Sequence, residues 1–130
     1  MSRERYRNGT RVIERWNRAF TALAAEPRRQ LVVSLLDAEG TPVELPESAV
    51  NPNVPVDADE LRLRLRHHHL PVLSDGGFVE WDDEPFRARR GPHFDEVGIV
   101  IESIQSAATA VPDELVFGCN RLERERQEKG

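Results

Sequence analysis

Apolar residues recur at helical spacing over residues 11–25, where Val12, Ile13, Trp16, Phe20 and Leu23 fall three or four apart with Ala22, Ala24 and Ala25 beside them. The spacing predicts an amphipathic helix that ends near Glu26 and carries Trp16 and Phe20 into the core. Pro27 suits the first turn of a second helix. Leu31, Val32, Leu35 and Leu36 give that helix its apolar stripe, and Gly40 is its C-terminal stop. Residues 1–10 are polar and are expected to be a flexible N-terminus. Residues 41–56 hold four prolines and read as a loop with at most one helical turn.

The stretch "LRLRLRHHHLPVLSDGGFVEWD", residues 61–82, is ambiguous. Its first six residues alternate as a half-buried strand does. Just before it, Asp57 and Glu60 form a capping-box pattern, and a strand has no use for a cap. A helix over 58–75 is therefore expected. Leu61, Leu65, Val72 and Leu73 share one arc of that helix, but Leu63 and Leu70 fall elsewhere, so the stripe is untidy. Pro71 lacks an amide proton and should kink or divide the helix. Gly76 and Gly77 end it. "FVEW" alternates as a strand, "DDEP" turns and "FRARRG" returns, which predicts a hairpin over 78–91 with Trp81 packed at its base. Phe94, Val97, Ile101 and Ile104 mark a further helix to about Ala108. Ile99 and Val100 widen its apolar surface beyond what one small domain covers, so Val97, Val100, Ile101 and Ile104, together with the first helix, are expected to join two copies. Residues 109–130 read as a polar C-terminal tail.

Helix, helix, long loop, helix, hairpin, helix is the element order of a winged helix-turn-helix with a C-terminal dimerisation helix. The expected fold class is α+β, mainly α, with one winged-helix domain over 11–108. Within it, "AFTALAAEPRRQLVVSLLDAEG" resembles the opening of ArsR-like winged-helix regulators. "HLPVLSDGGFVEWD" resembles the end of their recognition helix and the start of their wing. Together with "RGPHFDEV" at residues 90–97, the run from Ala19 to about Ser106 resembles a winged helix-turn-helix domain of halophilic archaea. The resemblance implies the fold and a role as a transcriptional regulator that binds double-stranded DNA as a homodimer. The chain departs from the pattern at "TPVELPESAVNPNVP", where the second helix of the helix-turn-helix is barely recognisable.

Composition changes this picture in three places. The chain has 130 residues, enough for one domain with a core. It carries a net charge of −5, and of its 18 basic residues only Lys129 is lysine. Arginine over lysine suggests a GC-rich genome, and the excess of carboxylates suggests a salt-adapted cytoplasm. An acidic chain is repelled by nucleic acid unless its arginines gather on one face. No run of apolar residues is long enough to span a bilayer, and the N-terminus has no apolar signal region, so neither membrane attachment nor a signal peptide is expected. Cys119 is the single cysteine, which excludes an internal disulfide and fits a cytoplasmic location.

Arg62, Arg64, Arg66, His67 and His68 lie on the candidate recognition helix. Arg64 and His67 fall together, away from Leu61 and Leu65, and are best placed to reach bases. Arg87, Arg89 and Arg90 lie on the returning strand of the hairpin, where a wing meets phosphate. Against this, Asp82, Asp83 and Glu84 crowd the wing tip, and a plain solvated face is the competing assignment. Adjacent helical histidines point about 100° apart, so His67, His68 and His69 cannot converge on one metal ion. The expectation is His69 in the core, His67 and His68 on the surface, and no metal. Arg28 and Arg29 are expected either to meet a phosphate at a helix N-terminus or to stay on the surface. The chain has no Gly-rich phosphate loop, no nucleophile elbow and no Ser/His/Asp set in a recognisable context, so neither catalysis nor a cofactor is expected. Two functions remain: sequence-specific DNA binding, or a winged-helix interaction module without DNA contact.

Overall fold

The computed structural model describes residues 3–130. Among these the chain is mainly helical, with one antiparallel sheet of three short strands. The first helix, α1 (Arg3–Leu23), starts well before residue 11, so most of the stretch expected to be flexible is helical. Its orientation also differs from the expectation. Only Ala19, Ala22 and Leu23 are buried, while Ile13, Trp16 and Phe20 are each more than half exposed. The reason lies on the opposite face. Arg15 donates to Glu96 Oε1 (2.8 Å) and to the Gly76 carbonyl (2.9 Å), and Arg18 donates to the Asp75 carbonyl (3.1 Å). The helix thus docks through small alanines and long polar side chains, which leaves Trp16 and Phe20 stacked on each other in solvent, 5.6 Å between ring centroids.

Helix α2 (Glu26–Asp37) buries Leu31, Val32 and Leu35, as the spacing predicts. Residues 41–56 are more ordered than a loop. They hold strand β1 (Val43–Glu44) and a single 3-10 turn, Glu47–Ala49. Two residues are too short to show alternation, which is why β1 has no signature in the sequence. It pairs antiparallel with β3 (Arg87–Arg90), placing Val43 opposite Ala88, and β3 pairs with β2 (Val79–Asp82). The order is β1-β3-β2.

Between them runs the capped helix. The Asp57 carboxylate accepts from the amides of Asp59 (3.0 Å) and Glu60 (3.2 Å), the N-cap that the sequence suggests. Helix α3 (Ala58–Arg64) passes without a break into a wider π-helical turn, Leu65–His69, and then into α4 (Leu70–Asp75). In the wide turn the Leu70 amide donates to the Leu65 carbonyl, five residues back. This is how the chain absorbs Pro71, whose ring would crowd a regular turn and whose missing amide proton would orphan a carbonyl. The extra residue also rephases the stripe. Leu61, Leu65, His69, Leu70 and Leu73 are all buried, so the leucine that a regular helix would misplace joins the core face. A Schellman motif ends α4: Gly77 takes φ 73°, its amide donates to the Ser74 carbonyl, and the Phe78 amide donates to the Leu73 carbonyl.

Helix α5 (Phe94–Ser106) completes the core, with Phe94, Val97 and Ile101 buried. The segment expected to be a polar tail folds back on the body. A 3-10 turn (Ala108–Ala110), α6 (Asp113–Val116) and α7 (Asn120–Lys129) follow one another, and Ala108 and Val116 are fully buried. Arg121 forms a two-point contact with Asp37 of α2 (2.8 and 2.7 Å), and Asn53 donates to the Gly118 carbonyl. No described helix is long and apolar enough to cross a membrane.

The closest backbone approach is at the base of the hairpin. A Cβ on Gly91 would stand 2.5 Å from the Gly77 carbonyl oxygen and 2.9 Å from the Phe78 carbonyl carbon. Backbone cannot yield there, so Gly91→Ala should cost about 1–3 kcal/mol of stability. Gly9, where a Cβ meets nothing within 4 Å, supplies the contrast. Gly9→Ala in α1 should stabilise by about 0.5–1 kcal/mol. Urea titrations of the two variants should move the midpoint in opposite directions.

Candidate nucleic-acid interface

The outer face of α3 and the hairpin form one surface, joined where Arg66 donates to Asp83 at the hairpin tip (2.7 Å) and lies over the Phe86 ring, 4.4 Å from its centroid. Phe86 in turn meets Trp81 edge to face at 6.1 Å, so an aromatic pair sits beneath the junction. Trp81 thus packs where the hairpin spacing predicts.

The arginines expected on this face are present but engaged. Arg62 pairs with Asp59 (2.9 Å) and Arg64 with Glu60 (3.2 Å), both within the helix. Glu60 therefore serves Arg64 rather than the reciprocal capping bond. On the hairpin, Arg87 reaches Asp82 (3.2 Å), and Arg89 reaches Asp82 (2.9 Å) and Glu80 (3.5 Å). Hydrogen bonding from Arg87 and the charge of Arg89 hold the Asp82 carboxyl below its usual range, so it stays ionised between them. Five arginines on this surface thus face five carboxylates, and no continuous positive strip joins helix and hairpin.

Arg90 does not belong to the surface. Its guanidinium donates to the carbonyls of Leu35 (3.0 and 3.2 Å) and Leu36 (3.3 Å) at the end of α2 and stacks over Phe94. It supplies donors to carbonyls of the last turn of that helix, which turns it away from the phosphate contacts expected of it.

The three histidines separate as expected. His67 and His68 are exposed and His69 is buried. Among the described residues no group of three or more His, Cys, Asp or Glu side chains is arranged to hold a metal ion. What the sequence does not reveal is the partner of His69. Its Nδ1 accepts from Arg28 Nη1 at 2.9 Å, and the same guanidinium donates to the carbonyls of Ala22 (2.8 Å) and Thr21 (3.1 Å). Arg29 likewise turns back to the Leu23 carbonyl (2.8 Å). Neither faces outward toward a phosphate. A proline-led turn after a helix, followed by Arg-Arg, is the signal available for this, because the carbonyls at the end of α1 need donors and the next turn must supply them.

Val97 and Ile101, expected between two copies, are buried in the core of a single chain, and Val100 packs against that core. Ile104 lines a groove beneath the C-terminal segment. The chain itself thus covers Val97, Val100 and Ile101, while Ile99 and Ile104 stay 58% and 44% exposed. A larger exposed apolar face lies on α1, where Tyr6, Val12, Ile13, Trp16 and Phe20 are each at least half exposed.

Comparison of the chain with models of protein families, with curated proteins and with solved structures gives no match.

A titration follows from the His69 site. Burial, then the charges of Arg28, His68 and Arg64, push its pKa from 6.5 down to about 4. Arg28 has only protons to donate, so His69 must be neutral to accept from it. Between pH 6.5 and 4 the unfolded chain binds the proton and the folded chain does not. Stability linked to His69 is therefore intact above 6.5 and is lost as the pH falls through this window. Chemical denaturation of wild type and His69→Gln at pH 7.5, 5.5 and 4.5 should show a smaller loss on acidification for the variant. Parallel losses would contradict a neutral buried His69.

Proposed function

We propose that this chain is a winged-helix regulator that binds double-stranded DNA as a homodimer in the cytoplasm, with α3 laid in the major groove and the β2–β3 hairpin as the wing. One observation carries the proposal. A capped, solvent-facing helix lies against the tip of a hairpin in a sheet of order β1-β3-β2, with the chain entering through two helices and leaving through a third. Arg64 and His67 on the outer side of the helix are assigned to bases. Arg62, Arg66, His68, Arg87 and Arg89 are assigned to phosphates.

The carboxylate partners of these arginines weigh less than their number suggests. Exposed ion pairs are worth about 0–1 kcal/mol, and in concentrated salt the screening length falls to about 3 Å. Arg64, which is two-thirds exposed, can exchange Glu60 for a base edge at small cost. A protein working at high salt also gains little from counterion release, so a neutral face that reads base edges is compatible with recognition there.

A second reading has its own observation. Paired arginines throughout, together with a single 3-10 turn where a helix should brace the recognition helix, favour a winged-helix module that binds another protein instead of DNA. The two separate experimentally by selection on random duplexes followed by fluorescence anisotropy across a salt series. Under DNA binding, a preferred duplex emerges. Arg64→Ala should then lower the preference over scrambled DNA by about 1–3 kcal/mol. Arg89→Ala should weaken both duplexes alike and reduce the salt slope by about 1. No preference at any salt would leave the interaction module.

The dimer is assigned to α1 rather than α5. Tyr6, Ile13, Trp16 and Phe20 recur at steps of seven and of three or four along one exposed face, with Val12 beside them. This is the seam of a two-helix coiled coil. Sedimentation should give a wild-type dimer, and monomers for Trp16→Asp combined with Phe20→Asp. Ile104→Glu should leave the assembly unchanged. A monomeric wild type would refute the assignment.

A further inference from the structure

A groove of about 720 Å³ runs between α2, the end of α5 and the returning C-terminal segment. It is distinct from the helix–hairpin surface and shares no residue with it. Its size lies within the range of sites that hold small organic molecules, about 300–1,000 Å³. Its apolar wall includes Val33, Ile104, Leu115 and Phe117. Leu115 and Phe117 are among the most exposed large apolar side chains of the chain, 65% and 68%, although they sit on a segment otherwise tied down by Val116 beneath and by Arg121 and Asn53 at its sides. Both side chains line the groove from a segment that is held in place.

The polar chemistry points the same way. Gln105 lines the groove and is nine-tenths buried, and its side-chain amide makes no hydrogen bond among the described residues. No fully sealed side-chain nitrogen or oxygen among the described residues lacks a partner, so this amide is not sealed off, and the groove is the concavity that Gln105 lines. A primary amide offers both a donor and an acceptor. Buried polar groups without a partner are costly, and one left open in a concave apolar site is the mark of a place where a ligand completes the bonding. The charges around it cancel. Glu26, Asp37 and Glu114 stand against Arg29, Arg121 and Arg124, and Asp37 and Arg121 are paired with each other.

We propose that this groove is a binding site for a small uncharged organic molecule with an apolar ring or chain and a single hydrogen-bonding head, the head meeting the Gln105 amide and the body lying on Ile104, Leu115 and Phe117. The site is independent of whether α3 reads DNA, because its test uses no nucleic acid.

The probe is N-phenyl-1-naphthylamine, a neutral aromatic dye with one N–H group that fluoresces when removed from water. Wild type should bind it saturably at one site per chain. Leu115→Asp combined with Phe117→Asp, both on exposed positions and checked for wild-type melting, should weaken binding at least tenfold. Gln105→Leu, which keeps the volume and removes the acceptor, should weaken it about fivefold. The single thiol supplies a second readout, because Cys119 lines the groove and is partly exposed. Saturating dye should slow its reaction with a disulfide reagent by severalfold. Ile99→Asp, at an exposed apolar position outside the groove, should leave the dye affinity unchanged. Binding that survives the Leu115/Phe117 pair, binding lost with Ile99→Asp, a Gln105→Leu protein that binds as well as wild type, or a Cys119 rate indifferent to the dye would each overturn the proposal.

Discussion

The fold turns on one buried guanidinium. Arg28 sits near the start of α2, and its donors go to the last carbonyls of α1 and to His69 beneath the π-helical turn. The end of α1, the start of α2 and the π-helical turn some forty residues on therefore share one side chain. Burial and the neighbouring charge of Arg29 push its pKa down from the usual guanidinium range, which lies far enough above neutrality that the group stays charged. A buried cation without a carboxylate is held only if every donor finds an oxygen or nitrogen. That requirement fixes the turn between α1 and α2 and sets the tautomer of His69. It also sets the depth at which the exposed helix lies against the body. Arg90 repeats the device at the other end of α2, where it meets the carbonyls of Leu35 and Leu36. The C-terminal ends of α1 and α2 are thus each closed by an arginine that a charge count would assign to the surface.

Much of the architecture was legible where a local rule has a single outcome. Asp57 could serve only as an N-cap, Gly76-Gly77 as a helix stop, and the alternation of "FVEW" as a strand. The failures share a cause. Trp16 and Phe20 were expected inside because large apolar side chains at helical spacing usually are, but spacing shows that a face exists and not which way it turns. Arg15 and Arg18, with carbonyl and carboxylate partners across the fold, decided the orientation of α1, and no pattern along the chain encodes such partners. Strand β1 was too short to announce itself. For the candidate interface, the positions of Arg62, Arg64 and Arg66 were legible, but their engagement was not. Asp83 meets Arg66 only because the hairpin folds back onto the helix, seventeen residues on in the chain.

The C-terminal segment changes how α5 should be understood. An apolar helix wider than its domain usually signals a partner, and here part of the cover comes from the same chain, with Ile99 and Ile104 left exposed. Val116 enters the core, Arg126 donates to the carbonyls of Ala108 and Val111, and Arg121 bridges to Asp37. These contacts are chiefly ionic and polar at the edges and apolar at one point. The segment is therefore held around a rim, and the space under it is left open instead of being packed to the density of an interior.

The π-helical turn at Leu65–His69 has a consequence for how the outer surface can change. The buried anchors on either side of it, Leu61 and Leu65 before and Leu70 and Leu73 after, grip the body independently. One residue more or fewer in the wide turn would be taken up between those grips, so the core would keep its leucines. The side chains facing solvent, Arg66 to His68 among them, would step round by one position. The turn acts as a vernier on the helix: it lets a single insertion or deletion alter what is displayed while leaving what is packed where it was.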